Sequence, residues 1–275
     1  MITEAASDIN QVLIAFGLTL CAGLSTGIGS AIAFIAKRTN TKFLSIALGF
    51  SAGVMIYLSF VEIFPEAREI LSEEKGARAG YLLAVLAFFT GMIFIAVIDK
   101  LVPDFENPHE LKRVEQMHDP ERRKNNKLYR MGMMSAVAIA LHNFPEGLAT
   151  FMAALQDLRL GLPIAIAIAI HNIPEGIAIS VPIHHATGSR RKAFLYSFLS
   201  GLAEPVGALV GFFILMPFLN QSVFGFLFAA VAGIMVFISI DNLLPAAREY
   251  GEPHLSLYGL TGGMAIMALS MVFFI

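Results

Sequence analysis

The sequence contains 275 residues, of which 56% are hydrophobic and 15% are charged, and its formal net charge is −2. Soluble globular domains carry about 25% charged residues, so this composition excludes an ordinary soluble domain and indicates a membrane protein. The near balance of 19 basic and 21 acidic residues produces no basic field, which argues against a nucleic-acid partner. The single cysteine, Cys21, excludes an intramolecular disulfide and a thiolate cluster.

Eight apolar runs, taken in chain order, are long enough to cross a bilayer as helices, each of which takes about 20 residues. Their length and their lack of period-two alternation exclude barrel strands. The first run is read as a retained helix, because the preceding residues carry Glu4 and Asp8 but no basic side chain. We therefore predict an all-α integral membrane protein with a single domain over 1–275 and spans at 11–36, 43–64, 80–98, 131–155, 162–183, 193–216, 224–246 and 255–275.

Basic residues predict the orientation of these spans, because Lys and Arg near helix ends stay in the cytoplasm. The segment 99–130 holds 15 of the 40 charged residues and is predicted to be a polar cytoplasmic loop. With both termini outside the cytoplasm, the inner loops hold 15 basic residues and the outer loops hold 4. The sequence thus predicts a multi-pass protein of the cell membrane, the inner membrane in a bacterium, with both ends outside.

Two sets of internal repeats follow from the sequence. Residues 51–69 align without a gap on residues 231–249, at an offset of 180, and a weaker match at an offset of 178 pairs Gly23 with Gly201 and Gly29 with Gly207. The matched spans run in opposite directions, so 11–98 and 193–275 are predicted to be inverted copies around a central pair, 131–183. Inverted repeats of this kind are typical of secondary transporters, whose substrate site lies between the copies.

The central pair carries a second repeated motif, since LHNFPEGLA at 141–149 recurs as IHNIPEGIA at 170–178. Ionisable side chains near mid-membrane are costly and usually face an interior site or a water path. In a helix, Glu146 lies four residues after His142 and three after Asn143, so it stands between two neighbouring faces. The predicted ligands on these two helices are His142, Asn143, Glu146, His171, Asn172 and Glu175.

Two prolines and two further acidic residues also bear on the predicted metal site. Pro145 and Pro174 cannot donate a backbone hydrogen bond, which predicts a local break beside each motif, although each could also be a packed kink. Glu204, within the sixth span, is a third candidate carboxylate ligand, with a proton carrier or a helix-packing group as the alternatives. Glu62, toward the outer end of the second span, is a candidate gate ligand or a solvated carboxylate.

Imidazole, carboxylate and amide groups together suit a divalent cation of borderline character. Such an ion must exchange its waters for ligands that also cancel its charge, which His and Glu do. Zn²⁺, Fe²⁺, Mn²⁺, Co²⁺ and Cd²⁺ fit this donor set as transported substrates, whereas Mg²⁺ and Ca²⁺ prefer oxygen ligands. No resident cofactor is expected.

These motifs resemble those of the ZIP (Zrt/Irt-like) divalent-metal transporters, of the bacterial zinc-uptake type. The resemblance rests on 142–147, 171–176 and 200–204, and it covers all eight spans. It implies import of Zn²⁺, often with Fe²⁺, through eight helices in a 3+2+3 arrangement. It also implies metal ligands at His142, Asn143, Glu146, His171, Asn172, Glu175, Glu204 and Glu62.

Our hypothesis from the sequence is uptake of zinc and other divalent cations by alternating access, through a site between the fourth and fifth helices. The expected partners are the metal ion and the lipid bilayer, and a homodimer is compatible with this reading. An intramembrane zinc hydrolase is the first alternative, but the sequence has no HExxH motif and inverted repeats have no evident use in hydrolysis. A metal-selective channel is the second, because channel and carrier share ligands and differ in rate.

Overall fold

The computed structural model describes residues 9–35, 41–101, 120–215, 218, 220–250 and 253–272. Within these ranges the chain is helical and contains no strand, which confirms the predicted all-α class. We number the helices α1 to α8 in chain order and treat as one helix those segments that continue directly into each other. Their bounds are α1 Ile9–Ile35, α2 Thr41–Leu58 with Ser59–Ile63 and Phe64–Lys75, α3 Ala77–Leu101, α4 Pro120–Gln156, α5 Leu158–Thr187, α6 Arg190–Gly201 with Ala203–Val210 and Gly211–Leu215, α7 Gln221–Ile238 with Ser239–Leu243 and Leu244–Tyr250, and α8 Pro253–Val272.

Among the described residues, seven helices are long and apolar enough to cross a membrane, namely all except α4. Helix α4 is the longest, at 37 residues, and its first turns are charged. The protein is therefore a multi-pass membrane protein. Large apolar side chains, such as Phe89, Ile93 and Phe213, are exposed on the outside of the bundle.

Two predicted boundaries were wrong. Residues 120–130, predicted as part of a polar loop, form the beginning of α4, because Pro120 suits the first helical position and the following Arg and Lys residues favour helix. Helix α2 continues eleven residues past the predicted end at position 64, as far as Lys75, where Gly76 with φ of 85° ends it. Residues 102–119, the rest of the predicted loop, lie outside the described residues.

Helices α2 and α7 each contain one wide turn of π-helix, Ser59–Ile63 and Ser239–Leu243. In each turn a backbone N–H bonds five residues back, from Phe64 to Ser59 and from Leu244 to Ser239. Both turns come just before a proline, Pro65 or Pro245, whose missing N–H leaves a carbonyl that the wider turn accommodates. The two turns are 180 residues apart, which is the offset of the repeated sequence.

The helices pack as two groups. Helices α1, α4, α5 and α6 form one group, here called the site group, and α2, α3, α7 and α8 form the other, here called the flanking group. Within the flanking group α2 packs along α8 and α3 along α7, so each pair joins one helix from either predicted repeat. The two groups meet mainly where α2 contacts α5 and α7 contacts α4.

Candidate metal site

The two motif helices lie side by side in the site group. Helices α4 and α5 are joined by a single residue, Asp157, whose carboxylate accepts from the backbone N–H of Arg159 at 2.8 Å and caps α5. Both helices continue through Pro145 and Pro174 without interruption, so the predicted break is at most a missing hydrogen bond within a continuous helix. The interruption found in this group lies instead in α6 at Leu202, between Gly201 and Ala203.

Glycines allow α1 and α6 to approach the motif helices at backbone distance. A Cβ at Gly147 would collide with the main chain of Glu204, and a Cβ at Gly176 would collide with the carbonyl oxygen of Thr26. Each motif glycine, two residues after its proline, therefore fixes one neighbouring helix against the site. This contact brings Glu204 next to the α4 motif.

Six of the predicted ligands are completely buried: Asn143, Glu146, His171, Asn172, Glu175 and Glu204. Burying a carboxylate or an imidazole without a partner lowers the stability of the fold. In this cluster one such pair, His171 and Glu146, joins the two motif helices. His171 Nε2 lies 3.3 Å from Glu146 Oε2, with both side chains fully buried. The predicted meeting of imidazole and carboxylate between α4 and α5 is thus present in the structure.

The two asparagines attach the motif helices to α1 and α6. Asn143 Nδ2 donates to the carbonyl oxygen of Ser200 on α6 at 3.2 Å, and Asn172 Nδ2 donates to the carbonyl oxygen of Ala22 on α1 at 2.9 Å. Asn172 Nδ2 also donates to Glu204 Oε1. Since each amide nitrogen is held by a main-chain carbonyl, the amide oxygen is the atom left to face the interior of the site.

Several buried acceptor oxygens in this cluster have no hydrogen-bond partner. They are Asn143 Oδ1, Asn172 Oδ1, Glu146 Oε1 and Glu204 Oε2. A buried polar atom normally finds a partner, because leaving it unpaired costs about 1–3 kcal/mol. Amide oxygens, carboxylate oxygens and an imidazole together form a ligand set that suits a divalent cation. A cation bound there would give a partner to the oxygen atoms that no protein N–H reaches.

The remaining predicted ligands are placed differently. Glu62 is half-buried in the π turn of α2 and is not hydrogen-bonded to any of the six buried side chains. His142 belongs to α4, but its side chain lies outside the described residues. Among the side chains that are described, no three His, Cys, Asp or Glu groups are close enough together to hold one ion.

Two main-chain acceptors were missed by reasoning from the sequence. The carbonyl oxygens of Ala22 and Ser200 orient the asparagine amides, and backbone atoms carry no residue-type signal. Their positions do differ by 178, the offset of the weaker repeat, so the repeat could have indicated that they are equivalent.

Comparison with known proteins agrees with this architecture. The family model described as ZIP Zinc transporter matches residues 9–128 and 104–271. The chain is 63% identical over 261 residues to the zinc transporter ZupT of Streptococcus mutans, covering 95% of this chain and 97% of that protein. It is 64% identical to the zinc transporter ZupT of Lysinibacillus sphaericus, covering 95% and 98%, and 62% identical to that of Nitratidesulfovibrio vulgaris, covering 98% and 99%. These relatives are transporters rather than enzymes, and the chain belongs to the ZIP family.

Proposed function

We propose that this protein carries Zn²⁺ across the membrane into the cytoplasm. Zinc transport is the activity for which the relatives are named, and the match to them covers nearly the whole chain. The observation that carries the proposal is the completely buried cluster between α4, α5 and α6, in which His171 meets Glu146 and four acceptor oxygens have no partner. Fe²⁺ and the other borderline divalent ions are proposed as further substrates, because the same donors suit them.

The proposed ligands are Asn143, Glu146, His171, Asn172, Glu175 and Glu204, together with His142 on the same helix as Glu146. The carboxylates cancel the charge of the ion, and the imidazole and amides replace its waters. Binding requires the contact between His171 and Glu146 to open, because the Nε2 and Oε2 atoms that now face each other would both turn to the cation. Glu62 is proposed to bind the ion on its path to the buried cluster, and not within the cluster itself.

The transport step is proposed to be alternating access between inverted repeats, 11–98 and 193–275, around the central helices. The packing divides each repeat, because α1 and α6 pack with the central helices, so the moving units that we propose are the site group and the flanking group rather than the two repeats. The contacts between these groups are concentrated at α2 with α5 and at α7 with α4. The excess of basic residues in the loops proposed to be cytoplasmic supports both termini being outside.

Uptake of radioactive zinc into proteoliposomes tests the proposal. Glu146→Gln keeps the shape of the side chain but removes its charge, and His171→Gln removes the imidazole. Both are expected to lower the uptake rate by about 100-fold, or about 2.7 kcal/mol, because each removes one ligand that the ion needs in place of its waters. Glu73→Gln and His254→Ala change exposed residues outside the cluster and are the matched controls. Uptake by Glu146→Gln at the rate of the unaltered protein would contradict the site assignment.

A metal-selective channel remains the alternative. A channel would use the same ligands but would bind the ion weakly enough for rapid exit. Saturating uptake that depends steeply on temperature favours the carrier. Unitary currents with flux that does not saturate favour the channel.

A further inference from the structure

Helix α1 brings a hydroxyl group to the edge of the buried cluster. Thr26 is completely buried, and its Oγ1 has no hydrogen-bond partner. It lies where α1, α5 and α6 meet, since a Cβ at Gly176 would collide with the Thr26 carbonyl oxygen and a Cβ at Gly201 would lie 2.9 Å from Oγ1. The hydroxyl is therefore next to the two helices that carry Asn172 and Glu204.

Thr26 differs from the other threonines whose side chains are described. Each of the others donates to the carbonyl four residues earlier: Thr19, Thr90, Thr150, Thr187 and Thr261. Thr26 does not, because the carbonyl four residues earlier, Ala22 O, already accepts from Asn172 Nδ2 at 2.9 Å and from Ser25 Oγ at 2.7 Å. Ala22 O also accepts the backbone N–H of Thr26 within the helix, so with the site asparagine and Ser25 its two lone pairs are already fully used and leave no capacity for the Thr26 hydroxyl.

The repeated sequence makes Thr26 the counterpart of Glu204. The two positions differ by 178, as do Gly23 and Gly201. The same offset relates Ala22 and Ser200, whose carbonyl oxygens accept from the two motif asparagines. One half of the molecule therefore places a carboxylate where the other half places a hydroxyl. With α1 running inward and α6 running outward, Glu204 lies toward the outer face and Thr26 toward the inner face.

Further hydroxyl groups continue from Thr26 toward the proposed cytoplasmic ends of α1, α5 and α6. Ser30, Ser180 and Ser197 are all completely buried. Ser197 Oγ donates to Thr26 O at 3.2 Å, and Ser30 Oγ lies 3.4 Å from Gly176 O. On α5 and α6 the carboxylates and amides of the cluster therefore lie on the outer side and neutral hydroxyls on the inner side, and α1 adds further hydroxyls at the inner level.

We propose that Thr26 Oγ1 is the first ligand that the transported divalent cation contacts after it leaves Glu204 and Asn172 on its way to the cytoplasm. The inference rests on the proposed transport of zinc. A neutral oxygen holds the ion less strongly than a carboxylate does, so it replaces one departing ligand without creating a second tight site. The unpartnered hydroxyl is the group that the ion uses during this step.

Three variants test this role through zinc uptake into proteoliposomes, zinc affinity in detergent and thermal unfolding. Thr26→Val keeps the shape and removes the hydroxyl, Thr26→Ser keeps the hydroxyl, and Thr26→Ala removes it with less risk of misfolding. Thr19→Val is the matched control, because Thr19 is equally buried on the same helix but donates to its own helix at Ala15 O.

We expect Thr26→Val and Thr26→Ala to lower the maximal uptake rate about tenfold, the effect of losing one polar contact to a charged group, with zinc affinity unchanged. The unfolding temperature of Thr26→Val should not fall, because the substitution removes a buried hydroxyl that has no partner. Thr26→Ser and Thr19→Val should transport at the rate of the unaltered protein. Unchanged uptake by Thr26→Val, or equal loss in Thr26→Ser, would overturn the proposal, as would a loss of zinc affinity in proportion to the loss of rate. If the unaltered protein carries no zinc, the proposed function fails instead.

Discussion

Asn172 connects three parts of the site, because its single amide nitrogen donates both to Glu204 and to the main chain of α1. Asn172→Asp replaces this donor with a carboxylate that faces Glu204 Oε1 and Ala22 O. Without metal, we expect the free energy of unfolding to fall by about 3 kcal/mol, the typical cost of an unpaired buried charge. Added zinc should raise the unfolding temperature of Asn172→Asp more than that of the unaltered protein, because the cation would lie between two acids.

Thermal unfolding in detergent, in EDTA and then with zinc, measures both effects. Asn143→Asp is the comparison variant, since Asn143 donates to a main-chain carbonyl and to no carboxylate in the described contacts. Its loss of stability in EDTA should be smaller. Equal unfolding temperatures for Asn172→Asp and the unaltered protein in EDTA would contradict the prediction.

At the residue scale, the sequence predicted which side chains are buried at the candidate site better than it predicted their hydrogen-bond partners. The buried positions of Asn143, Glu146, His171, Asn172 and Glu175 fit the prediction that they face an interior, because their spacing on the two repeated helices restricts them to neighbouring faces. Glu204 is equally buried but lies on α6. The orientation of each amide could not be predicted, since it depends on carbonyl groups of α1 and α6. Those groups become neighbours only through the tertiary packing.

Close helix packing at the motif glycines supports a prediction about elements. Gly147→Ala introduces a Cβ against the main chain of Glu204, which cannot move as a side-chain end can. We expect a loss of about 1–3 kcal/mol in the free energy of unfolding, the usual cost of overpacking a core. Gly17→Ala is the control, because a Cβ there meets no atom within 4 Å. That substitution should stabilise helix α1 by up to about 1 kcal/mol.

Chemical unfolding in mixed micelles measures both variants. The expected result is a lower free energy of unfolding for Gly147→Ala and a higher one for Gly17→Ala. A stable Gly147→Ala would show that α6 can move away from α4 at little cost, in contradiction to the packing.

The elements themselves were only partly predictable. Hydropathy located the apolar helices, because length and composition are local properties of the chain. The π turns at Ser59–Ile63 and Ser239–Leu243 were not predicted, since residues of a π turn have the same preferences as those of an α-helix. Pro65 and Pro245, which recur at the offset of 180, were the available signal, and each marks the widened turn that precedes it.

At the scale of the whole molecule, a hydrogen bond joins the two helix groups near their proposed outer end. Gln156 Nε2 on α4 donates to Glu66 Oε1 on α2 at 3.1 Å. If the site group moves against the flanking group during transport, this distance must change. We therefore expect that cysteines at positions 66 and 156, joined by a short thiol-reactive crosslinker, stop zinc uptake almost completely.

The background for this experiment is Cys21→Ala, which removes the only native cysteine, itself exposed. The control pair is Ser45→Cys with Ala247→Cys, because Ser45 Oγ donates to Ala247 O at 2.6 Å inside the flanking group. Crosslinking that pair should leave uptake unchanged. Full uptake by the crosslinked 66–156 pair would exclude a movement between the two groups.

The bonds from the asparagine amides to Ala22 O and Ser200 O have one more consequence. Main-chain carbonyls are present whatever side chain stands at those positions, so substitution at 22 or 200 cannot delete the acceptor as long as the helix keeps its path. Substitutions at positions 22 and 200 should therefore leave the orientation of the Asn172 and Asn143 amides unchanged. Sequence covariation would consequently fail to detect these two contacts, even though they tie the motif helices to the rest of the site.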